Sequence, residues 1–156
     1  MTGKGTGVQI RRMRYGDIDR VIAIAGRLKA APFWTREVYE KALASGGAPE
    51  RIALIAEADG EAIGFVVAGL IPPHAELETV AVKPELQRQG VARQLLTELL
   101  SELKKSQITE VMLEVRVSND PARALYHSLG FIETGRRPGY YADPQEDAVL
   151  LRRDAS

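Results

Sequence analysis

From Val91 to Lys105 the apolar residues Val91, Ala92, Leu95, Leu96, Leu99, Leu100 and Leu103 recur every three or four positions, and no other stretch limits the fold as tightly. A helix with one apolar stripe has to bury it, so a second layer must lie beneath. The chain supplies that layer as strands. "RIALIAEA" and "EAIGFVVAGLI" flank Asp59-Gly60, a pair suited to the positive φ angles of a two-residue hairpin turn. "AELETVAV" leads into Lys83-Pro84, which takes the chain out of the strand, and "ITEVMLEVRV" is rich in β-branched residues. "VQIRRM" near the start alternates weakly, and "FIETG" and "EDAVLLRR" close the chain around a polar, aromatic loop, "RRPGYYADPQ".

Two helices are expected before the hairpin. Asp17 is placed to cap "IDRVIAIAGRLKA", which Pro32 ends, and Thr35 to cap "REVYEKALA", which stops at Gly46-Gly47. A short helix, "SNDPARALYHSLG", has Pro121 in its first turn and Gly130 as its stop. The order β-α-α-β-β-β-α-β-α-β-β indicates an α/β fold around a single mixed twisted sheet. At 156 residues it is read as one domain over residues 8–154 after a flexible leader, 1–7.

Composition removes several chemistries. Without cysteine there is no disulfide, no thiolate nucleophile and no cysteine-held metal. The two histidines, His74 and His127, stand apart, do not make a metal site and are expected at the surface. With 21 basic and 21 acidic residues there is no global field to favour nucleic acid, and no apolar stretch is long enough to span a bilayer. The start, "MTGKGTG", lacks the apolar run of a secretion signal, so the expected compartment is the cytoplasm.

The loop ahead of the long helix, "QRQGVA" at positions 87–92, allows two readings. Gly90 can simply start the helix beside solvated charges, or the N–H groups around it can form a nest for phosphate, strengthened by the positive end of the helix dipole. The loop lacks the Lys-Ser/Thr pair of a nucleoside-triphosphate site and the three spaced glycines of a dinucleotide fingerprint. A diphosphate held by backbone without metal remains.

"VAVKPELQRQGVARQLL" resembles the coenzyme-A-binding signature of the Gcn5-related N-acetyltransferase (GNAT) superfamily, with Gln87, Gly90 and Ala92 at its fixed positions. "LEVRVSNDPARALYHSLGF" resembles a second block of that superfamily in the right order, and with Tyr140-Tyr141 and Glu146-Asp147-Ala148 the pattern is most similar to bacterial ribosomal-protein-alanine N-acetyltransferases. The resemblance is strong over the C-terminal half. In the N-terminal half, Pro32-Phe33-Trp34-Thr35 stands where the subfamily carries Phe-Pro-Trp-Ser. The resemblance implies a GNAT fold with helices on both faces of the sheet, acetyl-CoA as co-substrate, no metal, and a protein or peptide N-terminus as acceptor.

Acetyl transfer from a thioester to an amine needs the ammonium deprotonated, from a pKa of about 8 for an α-amine or about 10.4 for lysine, donors for the developing oxyanion, and an acid for the thiolate. Glu114, at the centre of "VMLEVRV", must face a polar cleft or a partner. An ion pair with Arg116 on the same strand face would satisfy it, but the match at this position makes it the candidate base. Glu76 and Glu78 are the alternatives, with solvated strand charge as their competing role. Tyr126 reads first as an aromatic in the core, and the resemblance makes it the candidate acid. By the same resemblance the coenzyme would be held by Val80, Ala81 and Val82 through their backbone, by Arg88, Gln89, Gly90, Val91, Ala92 and Arg93 around the loop, with Lys83 adding charge, and by Asn119, which can equally cap its helix. Phe33, Trp34, Tyr140 and Tyr141 would flank the acceptor, or else close the small core beneath their loops.

The leading expectation is therefore acetylation of an N-terminal α-amine, of alanine type. A small-molecule amine acetylated on the same scaffold, or an acyl-CoA-binding module without turnover, are the alternatives. Acceptor identity, the choice between Glu114 and Glu76 or Glu78, the need for a partner protein and the oligomeric state are left open by the residues alone.

Overall fold

A computed structural model describes residues 7–28, 31–46 and 49–154. Most of the expected leader, residues 1–6, and Gly47 of the expected helix stop lie outside the described residues. In chain order the elements are β1 (Val8–Arg12), α1 (Ile18–Ala25), α2 (Arg36–Leu43), β2 (Glu50–Ala58), β3 (Glu61–Ile71), β4 (His74–Val82), α3 (Val91–Lys105), β5 (Glu110–Arg116), α4 (Asp120–Ser128), β6 (Ile132–Tyr141) and β7 (Glu146–Asp154). The expected order of strands and helices is the observed one.

The strands form a seven-stranded sheet in the order β1-β2-β3-β4-β5-β7-β6. Asp59 and Gly60 both have positive φ (52° and 78°), as the turn between β2 and β3 requires. Alternation along β2 sends Ile52, Leu54 and Ala56 to one core and Ala53 and Ile55 to the other. Residues Val91, Leu95, Leu96, Leu99 and Leu103 of α3 are buried in the first core, together with Tyr126 of α4. Each buried leucine contributes about 1.5–3 kcal/mol of apolar transfer. Ile18, Val21 and Ile24 of α1 and Tyr39 and Ala42 of α2 are buried on the opposite side, so helices flank both faces of one mixed sheet.

One junction breaks the regularity. β4 and β5 are the parallel pair, and they register only through His74↔Glu110, Ala75↔Val111 and Glu76↔Met112. Both strands continue past these pairs, β4 to Val82 and β5 to Arg116, without further pairing to each other. The sheet opens there. Immediately beyond the last pair, the β3–β4 register jumps from Ala68↔Leu77 to Val67↔Thr79, which leaves Glu78 as an inserted bulge residue.

Three local expectations are corrected. Helix α1 ends at Ala25, well before Pro32, because Gly26 is a poor helix former and the chain tightens there, with Arg27 and Leu28 donating to carbonyls three residues back. Asp17 makes no side-chain cap. Its carboxylate accepts from Arg11 (2.8 Å to each oxygen), Arg20 (2.5 Å) and the Arg14 N–H (2.8 Å) and is buried. Most of the expected loop "RRPGYYADPQ" is strand: β6 runs to Tyr141, because an edge strand tolerates the missing N–H of Pro138 and absorbs Gly139 in a register shift between Arg137 and Tyr141.

Candidate functional site

The loop from Gln87 to Gly90 is shaped by two left-handed residues, Arg88 (φ 66°) and Gly90 (φ 86°). Its position is fixed by the Gln87 side-chain amide, whose Nε2 donates to the Val82 carbonyl at 3.1 Å. Gly90 is the residue ahead of α3, and its carbonyl accepts from the Gln94 N–H at 3.0 Å. No acidic residue lies in the first turn of α3, so the positive end of the helix dipole is left uncompensated. A left-handed residue between ordinary ones turns successive N–H groups to one side, the arrangement that binds phosphate oxygens. The residues present fit a diphosphate.

Beside this loop is a cavity of about 420 Å³ lined by Val80, Ala81 and Val82 of β4, Gln87, Arg88 and Gly90 of the loop, Val91, Ala92 and Arg93 of α3, and Asn119, Pro121, Ala122, Leu125 and Tyr126 around α4. The cavity wall on the α4 side is largely apolar. Gln89 does not line it and is exposed, its amide 3.5 Å from the Glu85 carbonyl. Arg93 is committed to Ser128 (2.6 Å), which ties α3 to α4. Lys83 lies on the other side, in a separate cavity beside α1.

A second cavity, of about 540 Å³, occupies the gap where β4 and β5 part. Leu77, Thr79 and Val80 come from β4, Glu114 and Arg116 from β5, Trp34 from the segment before α2, and Tyr140 and Tyr141 from the end of β6. Glu76 and Glu78 also line it. Trp34 packs on Tyr39 with ring centres 5.3 Å apart, whereas Phe33 points outward at 87% exposure and does not line the cavity. The Tyr140 and Tyr141 rings meet edge to face at 5.0 Å. Both histidines are exposed, as expected, and His74 is 3.2 Å from Glu110.

The two cavities share four residues, Val80, Asn119, Ala122 and Tyr126. Asn119 also caps α4 by accepting from the Ala122 N–H at 3.3 Å. Tyr126 is 6% exposed and packs edge to face on Phe131 at 5.7 Å, so core packing and cavity lining coexist in one side chain. Burial pushes its phenol well above the ordinary value, with the neighbouring Tyr141 adding to the shift.

The Glu114–Arg116 ion pair, the competing reading for Glu114, does not form. Arg116 instead donates to Glu146 (3.1 Å) and to the carbonyls of Ala142 (2.9 Å) and Pro144 (3.0 Å), while Glu114 accepts from Arg137 at 2.9 Å. Glu78 pairs with Arg51 at 2.7 Å. Among the described residues no cation pairs with Glu76, whose carboxyl is raised by partial burial and then by Glu114 and Glu78, with Arg137 opposing. Arg137 is absent from every sequence expectation, because its partner lies 23 residues away and no local pattern marks the pair. Among the described residues no group of three or more His, Asp or Glu side chains is placed to hold a metal ion.

Residues 21–131 match the family model described as "Acetyltransferase (GNAT) family". The chain is 33% identical over 160 aligned positions to N-alpha-acetyltransferase RimI of Mycobacterium tuberculosis, covering 99% of this chain and 98% of that one. It is 36% identical to the [Ribosomal protein bS18]-alanine N-acetyltransferase of Escherichia coli over 86% of this chain and 89% of the other. The crystal structure of the ribosomal-protein-alanine N-acetyltransferase from Escherichia coli matches with a TM-score of 0.85 at 32% identity, covering 96% of this chain and 94% of that chain.

Proposed function

The chain belongs to the acetyltransferase (GNAT) family, and on that premise we propose that it transfers the acetyl group of acetyl-CoA to the α-amino group of an N-terminal alanine, as on a ribosomal protein. One observation carries the reading: the cavity beside the Gly90 loop and the cavity between β4 and β5 converge on Tyr126, with Glu114 in the second alone. Two substrates entering from the two sides would meet where these side chains stand.

Acetyl-CoA supplies the acetyl group as a thioester. The loop at Arg88–Gly90 and the start of α3 would receive the pyrophosphate, and the edge of β4 at Val80–Val82, unpaired with β5, would lie along the pantetheine arm. In the second cavity Glu114 would take the proton of the attacking amine, directly or through water. Tyr126, a phenol that burial pushes further above its ordinary value, would be the proton donor to the departing sulfur. As the N–C bond forms and the C–S bond breaks, one proton arrives at Glu114 and one leaves Tyr126. Trp34, Tyr140 and Tyr141 would line the path of the acceptor chain.

No described helix is long and apolar enough to cross a membrane. The reading is tested by thiol release from acetyl-CoA with a short peptide beginning in alanine, against the same peptide blocked at its α-amine. Release that requires the free amine is expected. Release confined to polyamines, amino acids or aminoglycosides would overturn the acceptor assignment, and coenzyme binding without release for any amine would overturn turnover.

A further inference from the structure

Resting on the proposed acceptor cleft, we propose that Arg137, which does not itself line the cleft but pairs with its Glu114, is a displaceable counter-ion with which the acceptor's ammonium must exchange at that carboxylate. Arg137 thereby limits the preference for a charged amine over a neutral one, because only the charged amine has to compete with it.

The sheet puts the pair together. Arg137 of β6 registers opposite Ala148 of β7, Ala148 opposite Arg116 of β5, and Glu114 opposite Leu150, so Arg137 reaches across the small Ala148 to the carboxylate. Arg116 is nearer in sequence and is unavailable, because its guanidinium is spent on Glu146 and two loop carbonyls. The two arginines differ in how firmly they are held. Arg116 has three acceptors and a side chain 23% exposed, whereas Arg137 has one carboxylate oxygen and the face of Tyr140, 4.8 Å away, with its side chain 54% exposed. A long side chain with one partner and open access to water is held by a weak ion pair.

The surroundings need a cation. Glu76 and Glu114 both line the cleft, and among the described residues only Arg137 pairs with either of them. Without a positive charge two carboxylates would face each other across the gap; Arg137 offsets one of the two negative charges until an acceptor arrives. An α-ammonium presents the same charge and N–H donors at the same oxygen. Once displaced, the guanidinium retains the Tyr140 face as a resting place, which offsets part of its loss.

The test uses the coenzyme-A-loaded protein and two peptides beginning in alanine, one with a free α-amine and one blocked. For Arg137→Gln, the free-amine peptide is expected to bind roughly two- to fivefold more tightly than to wild type, the range of an exposed ion pair, with the blocked peptide unchanged. Arg137→Lys should restore wild-type discrimination. Weaker binding of both peptides to Arg137→Gln would mean that Arg137 contacts the acceptor chain itself and would overturn the proposal. If neither peptide binds any variant, the acceptor reading fails on its own, and the counter-ion role is judged by carbon NMR titration of Glu76, which faces Glu78 on β4, Glu114 on β5 and Arg137 on β6. An upward displacement of that titration in Arg137→Gln keeps the role, and none removes it.

Discussion

The guanidinium of Arg116 lies 4.6 Å from the centre of the Tyr141 ring while it donates to the carbonyls of Ala142 and Pro144 on the turn that follows. Arg116 therefore clamps the β6–β7 connection, and Glu146 adds a second link by accepting from both Arg116 (3.1 Å) and the Ser118 N–H (3.0 Å). Arg116→Ala releases the segment that carries Tyr140 and Tyr141. The expected outcome is a rise in KM for the peptide of roughly tenfold with coenzyme affinity unchanged, measured by separate titrations of the two substrates. Equal loss for both would show that the clamp supports the whole fold.

Glu114→Gln and Tyr126→Phe are each expected to lower kcat by roughly 10²-fold or more while coenzyme binding stays near wild type. Both are close in shape to the native side chain, so the cavities persist. Tyr126→Phe keeps the edge-to-face contact with Phe131 and removes only the hydroxyl. Wild-type kcat in either variant removes that residue from the chemistry. If Glu76→Gln alone abolishes turnover, the base is Glu76.

Gly90 has φ of 86°, and no other group of the protein lies within 4 Å of where its Cβ would be. A Cβ there has room, so the cost of valine to the fold is the strained backbone, about 1–2 kcal/mol, while its methyl groups fill space beside the loop-side cavity. Gly90→Val should therefore weaken coenzyme binding tenfold or more, read by calorimetry, with a smaller fall in thermal stability. Unchanged affinity would move the pyrophosphate away from this loop.

Sequence patterns revealed what is local. The apolar spacing of Val91–Lys105 predicts α3 to the residue, Asp59-Gly60 announces its hairpin, and Thr35 caps α2 by accepting from the Val38 N–H. Long-range pairings were out of reach. The ion-pair partner of Glu114 is Arg137 on an edge strand, not Arg116 two residues away, and no local pattern marks it. Pro138 and Gly139 signal a loop to any local reading, yet an edge strand accommodates both. The parting of β4 and β5, which creates the cleft, has no sequence signature beyond the carboxylates Glu76, Glu78 and Glu114 set among apolar residues of the two strands. Arg88 takes a left-handed conformation that its residue type does not suggest.

Asp17 supplies the pH dependence of folding. Its buried carboxylate is held by Arg11 first, then by the Arg14 N–H and Arg20, which depress its pKa far below the ordinary carboxylate value; Glu57, bound by the same two arginines, is lowered as well. A carboxyl with a depressed folded pKa contributes its full stabilisation above the unfolded value of about 3.9 and loses it as pH falls through the folded value. Because both guanidinium groups keep contact with water, the contribution falls below that of a sealed ion pair, on the order of 2 kcal/mol. Asp17→Asn should lower stability by about that amount near pH 7, and the gap to wild type should close as the pH drops below about 4, in urea unfolding followed by circular dichroism. A gap that stays constant down to pH 2 would place the stabilising role of Asp17 in its shape and hydrogen bonds, not in its charge.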